Sequence, residues 1–399
     1  MKIPRSLLLC CLVVCALLGC GGGGNSSVAD TGLKNFVSIK VDKGVNGDYL
    51  NGLFTKVTIC SVALNNCAEV DNILVDTGST GLRLIASAIP NDLILNYVGS
   101  DGFSVAECTQ FVSGVIWGPI ANADVKIGGE LAKNIPIQLA GVSGFNAVPS
   151  DCSSKGQLQN TVQTLSANGV LGISNFVNDC GIFCVNNSNN SYYYICDSKG
   201  CQNSVLTEAK QVQNPVAHFQ KNNNGTVISL PGLSTRSASV VEGKLIFGIN
   251  TELNNQLNDA KRVSLNSTTA TFSTIYKNHD YALSYFDSGS NGIYFDDSSI
   301  NQCADTFYIG YYCPGLSISI DVIFKGVGQE IYGYTFNGAD TLSILKNPQF
   351  LPVQPHLIGP STGSFQDFVW GLPFFYGKDF FTAIENKELT ANGIFSAYK

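Results

Sequence analysis

Two short stretches of this 399-residue chain carry residue types able to do chemistry together. Asn72-Ile73-Leu74-Val75-Asp76-Thr77-Gly78-Ser79-Thr80-Gly81-Leu82 returns 211 positions later as Leu283-Ser284-Tyr285-Phe286-Asp287-Ser288-Gly289-Ser290-Asn291-Gly292-Ile293. Each copy reads as an apolar run, Asp, a hydroxyl residue, Gly, Ser, a small polar residue, Gly and an apolar residue. The apolar run predicts a strand that feeds the Asp into a turn, where Gly permits the backbone angles and close approach the turn needs. One Asp-hydroxyl-Gly turn is commonplace, but two in the same frame indicate a duplicated unit. If the two loops meet, two carboxyls share one site, and like charges that close together retain one proton between them. Such a pair is acid and base at once: one member takes a proton from water while the other donates one to the group under attack. That chemistry requires no metal, no cofactor and no covalent intermediate.

Other patterns are poorer. Asp287-Ser288-Gly289 alone would suit a serine hydrolase with His218 or His279 as base, but this leaves the matching loop at Asp76 unexplained. Gly359-Pro360-Ser361-Thr362-Gly363 fits a nucleophile elbow, yet Ser364-Phe365-Gln366-Asp367-Phe368 leads into a β-like run instead of the required helix. Cys180, Cys184, Cys196 and Cys201 have spacings that suggest zinc. No His lies among them, and the count of Cys points to disulfides instead.

The elements that must position the two loops are strands. Hydrophobic residues make up 44% of the chain and charged residues 13%, which excludes disorder for most of it, and 41 Gly suit many tight turns. The net charge of −7, with no basic cluster, argues against a nucleic-acid partner. Thr55-Lys56-Val57-Thr58-Ile59 alternates and is expected to meet Ile73-Leu74-Val75 across the loop between Cys60 and Cys67. Leu316 to Val322 alternates as a half-buried strand. Thr161 to Asn168 predicts one short helix, and Val205 to Gln220 a second, interrupted at Pro215. Residues 178–203, rich in Asn and Cys around Tyr192-Tyr193-Tyr194, read as an inserted, disulfide-stapled surface loop. Turn formers at Pro231-Gly232-Leu233-Ser234-Thr235 mark a boundary.

The repeated loop resembles that of the pepsin-like aspartic peptidases, in which each of two lobes contributes one Asp. The likeness continues at Asn168-Gly169-Val170-Leu171-Gly172-Ile173 and at Val369-Trp370-Gly371-Leu372-Pro373-Phe374-Phe375, which resemble the segments bracing the two loops. Gly243-Lys244-Leu245-Ile246-Phe247-Gly248 resembles the strand opening the second half. The resemblance implies a mostly β, bilobal fold with a cleft between related lobes, here 46–232 and 233–399. It implies an aspartic endopeptidase, working as a monomer on a peptide or protein substrate, with Asp76 and Asp287 catalytic. Thr77 and Ser288 would cross-link the loops, Ser79 and Ser290 would bond the outer carboxylate oxygens, and Gly78 and Gly289 would bring N–H groups to the carboxyls. Bridges Cys60–Cys67 and Cys303–Cys313 are implied too, while the pairing of Cys108, Cys152 and the set at 180–201 stays open. Two positions depart from the family. Arg83 stands where it has Trp, and Cys108 to Gly114, where a hairpin carrying Tyr would cover the cleft, has Phe111 as its aromatic. The alternative reading is a non-catalytic peptide- or envelope-binding protein on the same fold.

The first residues direct export. Lys2 and Arg5 precede an apolar run from Ser6 to Leu18, too short for a convincing membrane span, that ends in Leu17-Leu18-Gly19-Cys20. This resembles the lipobox of bacterial lipoproteins, which implies a signal at 1–19, an acylated Cys20 and, with Gly21 to Gly24 following, a flexible tether over 20–45. The wording from Val75 to Arg83 likewise resembles a group of bacterial lipoproteins without an assigned activity. The expected location is the cell envelope, held at the outer membrane by the lipid anchor. Ten Cys remain beyond Cys20, an even number that fits five disulfides in an oxidising compartment.

Overall fold

The computed structural model of the protein describes residues 35–100, 102–233, 237–346, 351–361, 363 and 365–399. The signal at 1–19, Cys20 and the tether up to residue 34 lie outside the described residues, as do Ser234 and Thr235 of the boundary segment.

The fold is mostly β, in two sheet bodies joined by a shared layer, the bilobal arrangement of pepsin-like proteins. In the first body the alternation at Thr55–Ile59 gives strand Gly52–Cys60, whose Phe54 pairs with Leu74 and Cys60 with Cys67 of strand Cys67–Asp76. Cys67–Asp76 runs parallel to Gly169–Ile173, which pairs with Thr80–Ile85, and that strand with Glu130–Ala140. Glu130–Ala140 pairs with Gly114–Ile127, which returns to Gly52–Cys60. Six strands thus close into a barrel without an open edge, filled by Ile59, Val75, Leu84, Val125 and Ile137.

The second body is a curled seven-stranded sheet. Ile331–Gly338, Ile318–Lys325, Phe272–Tyr276, His279–Phe286, Phe368–Trp370, Ile293–Phe295 and Ile358–Gly359 lie in that order. Alternation in Ile318–Lys325 buries Ile320, Val322 and Phe324. Its core is aromatic: Phe272 stacks on Phe286 and Phe368 on Trp370. The shared layer takes strands from both halves, in the order Lys261–Ser264, Phe395–Tyr398, Lys378–Ala383, Gly225–Leu230, Val241–Phe247 and Phe36–Asp42.

Both bodies treat their Asp loop alike. Val170 lies between Leu74, on a parallel strand, and Arg83, on an antiparallel one. Trp370 lies in the same way between Phe286 and Ile293. The third strand thus separates the arms of each loop and fixes where its tip emerges.

Two expectations need correction. Val205–Gln220 is not a helix broken at Pro215; it holds only the short 3-10 turns Glu208–Lys210 and Pro215–His218. Between them Gln213 N–H bonds to Pro136 O and Asn214 N–H to Val177 O, so the backbone is satisfied by neighbouring segments instead of by helix. The 178–203 segment is stapled by Cys180–Cys184 and Cys196–Cys201, but it is more than a surface loop. Strand Tyr193–Asp197 pairs with Gly200–Asn203 and adds to the edge of Phe103–Phe111, burying Tyr193 and Tyr194. The remaining bridges are Cys60–Cys67, Cys108–Cys152 and Cys303–Cys313.

Candidate active site

Asp76 ends strand Cys67–Asp76 and Asp287 directly follows strand His279–Phe286, and the fold brings their loops tip to tip. Within the first loop Gly78 N–H donates to Asp76 Oδ1 at 2.8 Å and Ser79 Oγ to Oδ2 at 2.5 Å. In the second, Gly289 N–H donates to Asp287 Oδ1 at 2.9 Å and Ser290 Oγ to Oδ2 at 2.7 Å. The loops are tied across the centre. Thr77 Oγ1 donates to Phe286 O at 3.1 Å and accepts Ser288 N–H at 2.9 Å. Ser288 Oγ donates to Val75 O at 2.8 Å and accepts Thr77 N–H at 3.0 Å. The Ser288 hydroxyl is therefore engaged in holding the loops, which does not suit a nucleophile beside His218 or His279.

The carboxyls crowd each other. A Cβ added to Gly78 would lie 2.8 Å from Asp287 Cγ, and one added to Gly289 would lie 2.8 Å from Asp76 Oδ1. Only a residue without a side chain lets each loop approach the opposite carboxyl this closely. Asp287 is pushed up to about 8, by burial first and then by the charge of Asp76 and a hydrogen bond shared with it; Ser290 and the Gly289 N–H act in the opposite sense. One proton is thus held by the pair over a wide pH range.

A cavity of about 510 Å3 opens beside the Asp76 loop, walled by Thr77 to Thr80 on one side and by Tyr285 and Phe286 on the other. The hairpin of Phe103–Phe111 and Gly114–Ile127 lines it with Thr109, Gln110 and, at its tip, Phe111.

Several site residues were not legible in the sequence. Tyr49, just before strand Gly52–Cys60, packs edge-on against Phe54, and its phenol is held well above the ordinary range by burial and by the charges of Asp76 and Asp287. Asn51 is fully buried; its Nδ2 donates to Asn291 O and Gln354 O, and its Oδ1 accepts from Gln354 N–H and Tyr376 OH. It thereby ties the first body to the residue after Ser290. Arg83 is buried in an ion cluster with Glu107 and Asp179. The only sequence signal for Asn51 was its Asn-Gly dipeptide, and for Arg83 its departure from Trp.

The class that the fold and this geometry define is a two-lobed β protein with a pair of facing Asp-hydroxyl-Gly loops. The chain belongs to the family described as a protein of unknown function, DUF3443, whose pattern matches residues 31–398. Among solved structures it is similar to an aspartic proteinase from Irpex lacteus, at 15% identity and a TM-score of 0.45, over 91% of this chain and 96% of that one. No curated protein sequence matches the chain.

Proposed function

We propose that the protein is an aspartic endopeptidase that hydrolyses peptide bonds with water activated between Asp76 and Asp287. The reading is supported by one observation: two carboxyls, each fixed by the N–H and hydroxyl of its own loop, crowd each other across glycines that leave no room for a side chain. Water between them gives a proton to Asp76 as its oxygen attacks the carbonyl carbon. Asp287 gives its proton to the carbonyl oxygen, so the tetrahedral intermediate forms without a full charge on oxygen. In breakdown, Asp76 returns a proton to the departing amine and Asp287 recovers one from the intermediate. Both loops come from one chain, so a monomer completes the site. We also propose that acylated Cys20 holds this body at the bacterial cell envelope, on the strength of the leader and glycine tether alone.

The test is incubation with a diverse peptide library between about pH 3 and 7, with and without a pepstatin-like inhibitor, followed by mass spectrometry. Inhibitor-sensitive internal cleavage is expected. Intact peptides throughout, with folded protein, would reject the enzyme and favour a binding protein on this fold.

A further inference from the structure

The cavity wall beside Thr80 carries more negative charge than its one cation balances. Arg83 is 2% exposed, and its Nη2 lies 2.7 Å from Glu107 Oε1 and 3.0 Å from Asp179 Oδ2. Its Nε donates to Thr109 Oγ1 at 2.7 Å and its Nη1 to Thr80 O at 2.6 Å. The other oxygen of Asp179 accepts Tyr193 OH at 2.6 Å, and that phenol accepts Val212 N–H. These bonds satisfy Arg83 and Asp179 but not Glu107. Glu107 is fully buried, and its Oε2 accepts no hydrogen bond from any described residue. Two carboxyls therefore share one guanidinium, and both line the cavity with Tyr192.

We infer that Glu107, Asp179 and Tyr192 form a subsite for a cationic side chain of the peptide, a lysine or arginine, whose charge supplies the donor Glu107 Oε2 lacks. The inference rests on the reading of the cleft as a peptide-hydrolysing site. A buried carboxylate is stable only when paired and hydrogen-bonded. A tether between Arg83 and the hairpin would account for the guanidinium's contacts, but one carboxylate would suffice for it. Without a bound cation, a proton takes its place. Asp179 is held well above the usual carboxylate range by burial and then by the charge of Glu107, with Arg83 and the Tyr193 hydroxyl acting against them. Tyr193 and Tyr192 are themselves held neutral by burial and by the two carboxyls. An arriving cation therefore displaces a proton, and preference for it strengthens as pH rises.

The test uses peptides identical except for Lys or norleucine at each position in turn. Their cleavage is followed with the wild type, Asp179→Asn and Glu107→Gln, and their binding to Asp287→Asn by fluorescence anisotropy. At one position Lys should raise kcat/KM by at least about tenfold over norleucine. That ratio should rise with pH and fall towards one in both subsite variants. Each variant leaves Arg83 one carboxylate, so folding should survive, as melting curves will check; should both unfold, a pH-independent ratio in the wild type overturns the subsite. Equal cleavage of both series, or a Lys preference that survives both substitutions, overturns the subsite and leaves the carboxyl-pair reading standing. Absence of cleavage with tighter binding of the Lys peptides does the reverse. Neither cleavage nor binding overturns both.

Discussion

Thr77 and Ser288 hold each other from opposite bodies: each hydroxyl accepts the other's backbone N–H and donates to the carbonyl just before the opposite Asp. Ser288 is fully buried and Thr77 nearly so, which leaves water no route to replace these bonds. Thr77→Val keeps the shape but orphans the Ser288 N–H and the Phe286 carbonyl. The expected loss is roughly 2–4 kcal/mol of stability, from two buried groups left unsatisfied. Ser288→Ala should cost a similar amount, and the double variant less than the sum, since both remove the same lattice. Urea unfolding of the four proteins measures this; strict additivity would mean the two hydroxyls do not act as a unit.

Gly78 makes a sharper test of the site because its constraint is spatial. Its added Cβ would meet Asp287 Cγ and Oδ1 at 2.8 Å. Gly78→Ala should therefore push the carboxyls apart and remove most activity, with a Tm change of only a few degrees. Wild-type turnover in this variant would show that the crowding of the pair is not needed.

What the sequence made legible followed from its repeat. The motif at Asp76 and Asp287 needs only local residues, and duplication supplied the second copy, so both loops and their flanking strands could be read before the fold. The alternation at Thr55–Ile59 and Leu316–Val322 was likewise local. Arg83 gave only a departure from a pattern, because its partners Glu107 and Asp179 lie 24 and 96 positions away and belong to no motif. Tyr193 and Tyr194 looked like loop residues because the strand that covers them, Phe103–Phe111, is remote in sequence. At Val205–Gln220 the helical pattern was overridden by tertiary backbone bonds to Pro136 and Val177.

The crowded pair also sets a pH dependence of stability. Asp287 is held up at about 8, far above the usual carboxylate range, so the folded state binds the extra proton between that range and about pH 8. Its contribution is full below about pH 4 and is lost as pH rises through about 8. Asp179 is shifted in the same direction and adds to the slope. Tm should therefore fall from pH 5 to pH 8.5 in the wild type and fall less steeply in Asp287→Asn, which should be the more stable protein at the alkaline end. Parallel Tm curves for the two would remove Asp287 as a source of the slope.

The proposed anchor has its own readout. Metabolic labelling with a palmitate analogue in a bacterial host should mark the wild-type chain and leave Cys20→Ser unmarked. Equal labelling of both would place the lipid elsewhere or abolish the lipoprotein reading.

The decisive prediction concerns the two carboxyls acting as one unit. If Asp76 takes the proton of the attacking water while Asp287 supplies one to the carbonyl oxygen, replacing either by Asn removes the cycle and not half of it. Asp76→Asn and Asp287→Asn should each lower kcat by several orders of magnitude, and the double variant should be little worse, because groups that work together are not additive. Loss of structure cannot explain this pattern. Asn keeps the acceptor oxygen for the loop N–H, and removing one carboxylate relieves the repulsion that lifts Asp287, so thermal stability near neutral pH should hold or rise. The pH profile carries the same signature: activity needs one proton on the pair, so kcat should decline as pH passes about 8 and the second carboxyl ionises. Residual hydrolysis shared equally by both single variants, insensitive to pepstatin-like inhibitor, would place the chemistry outside this pair.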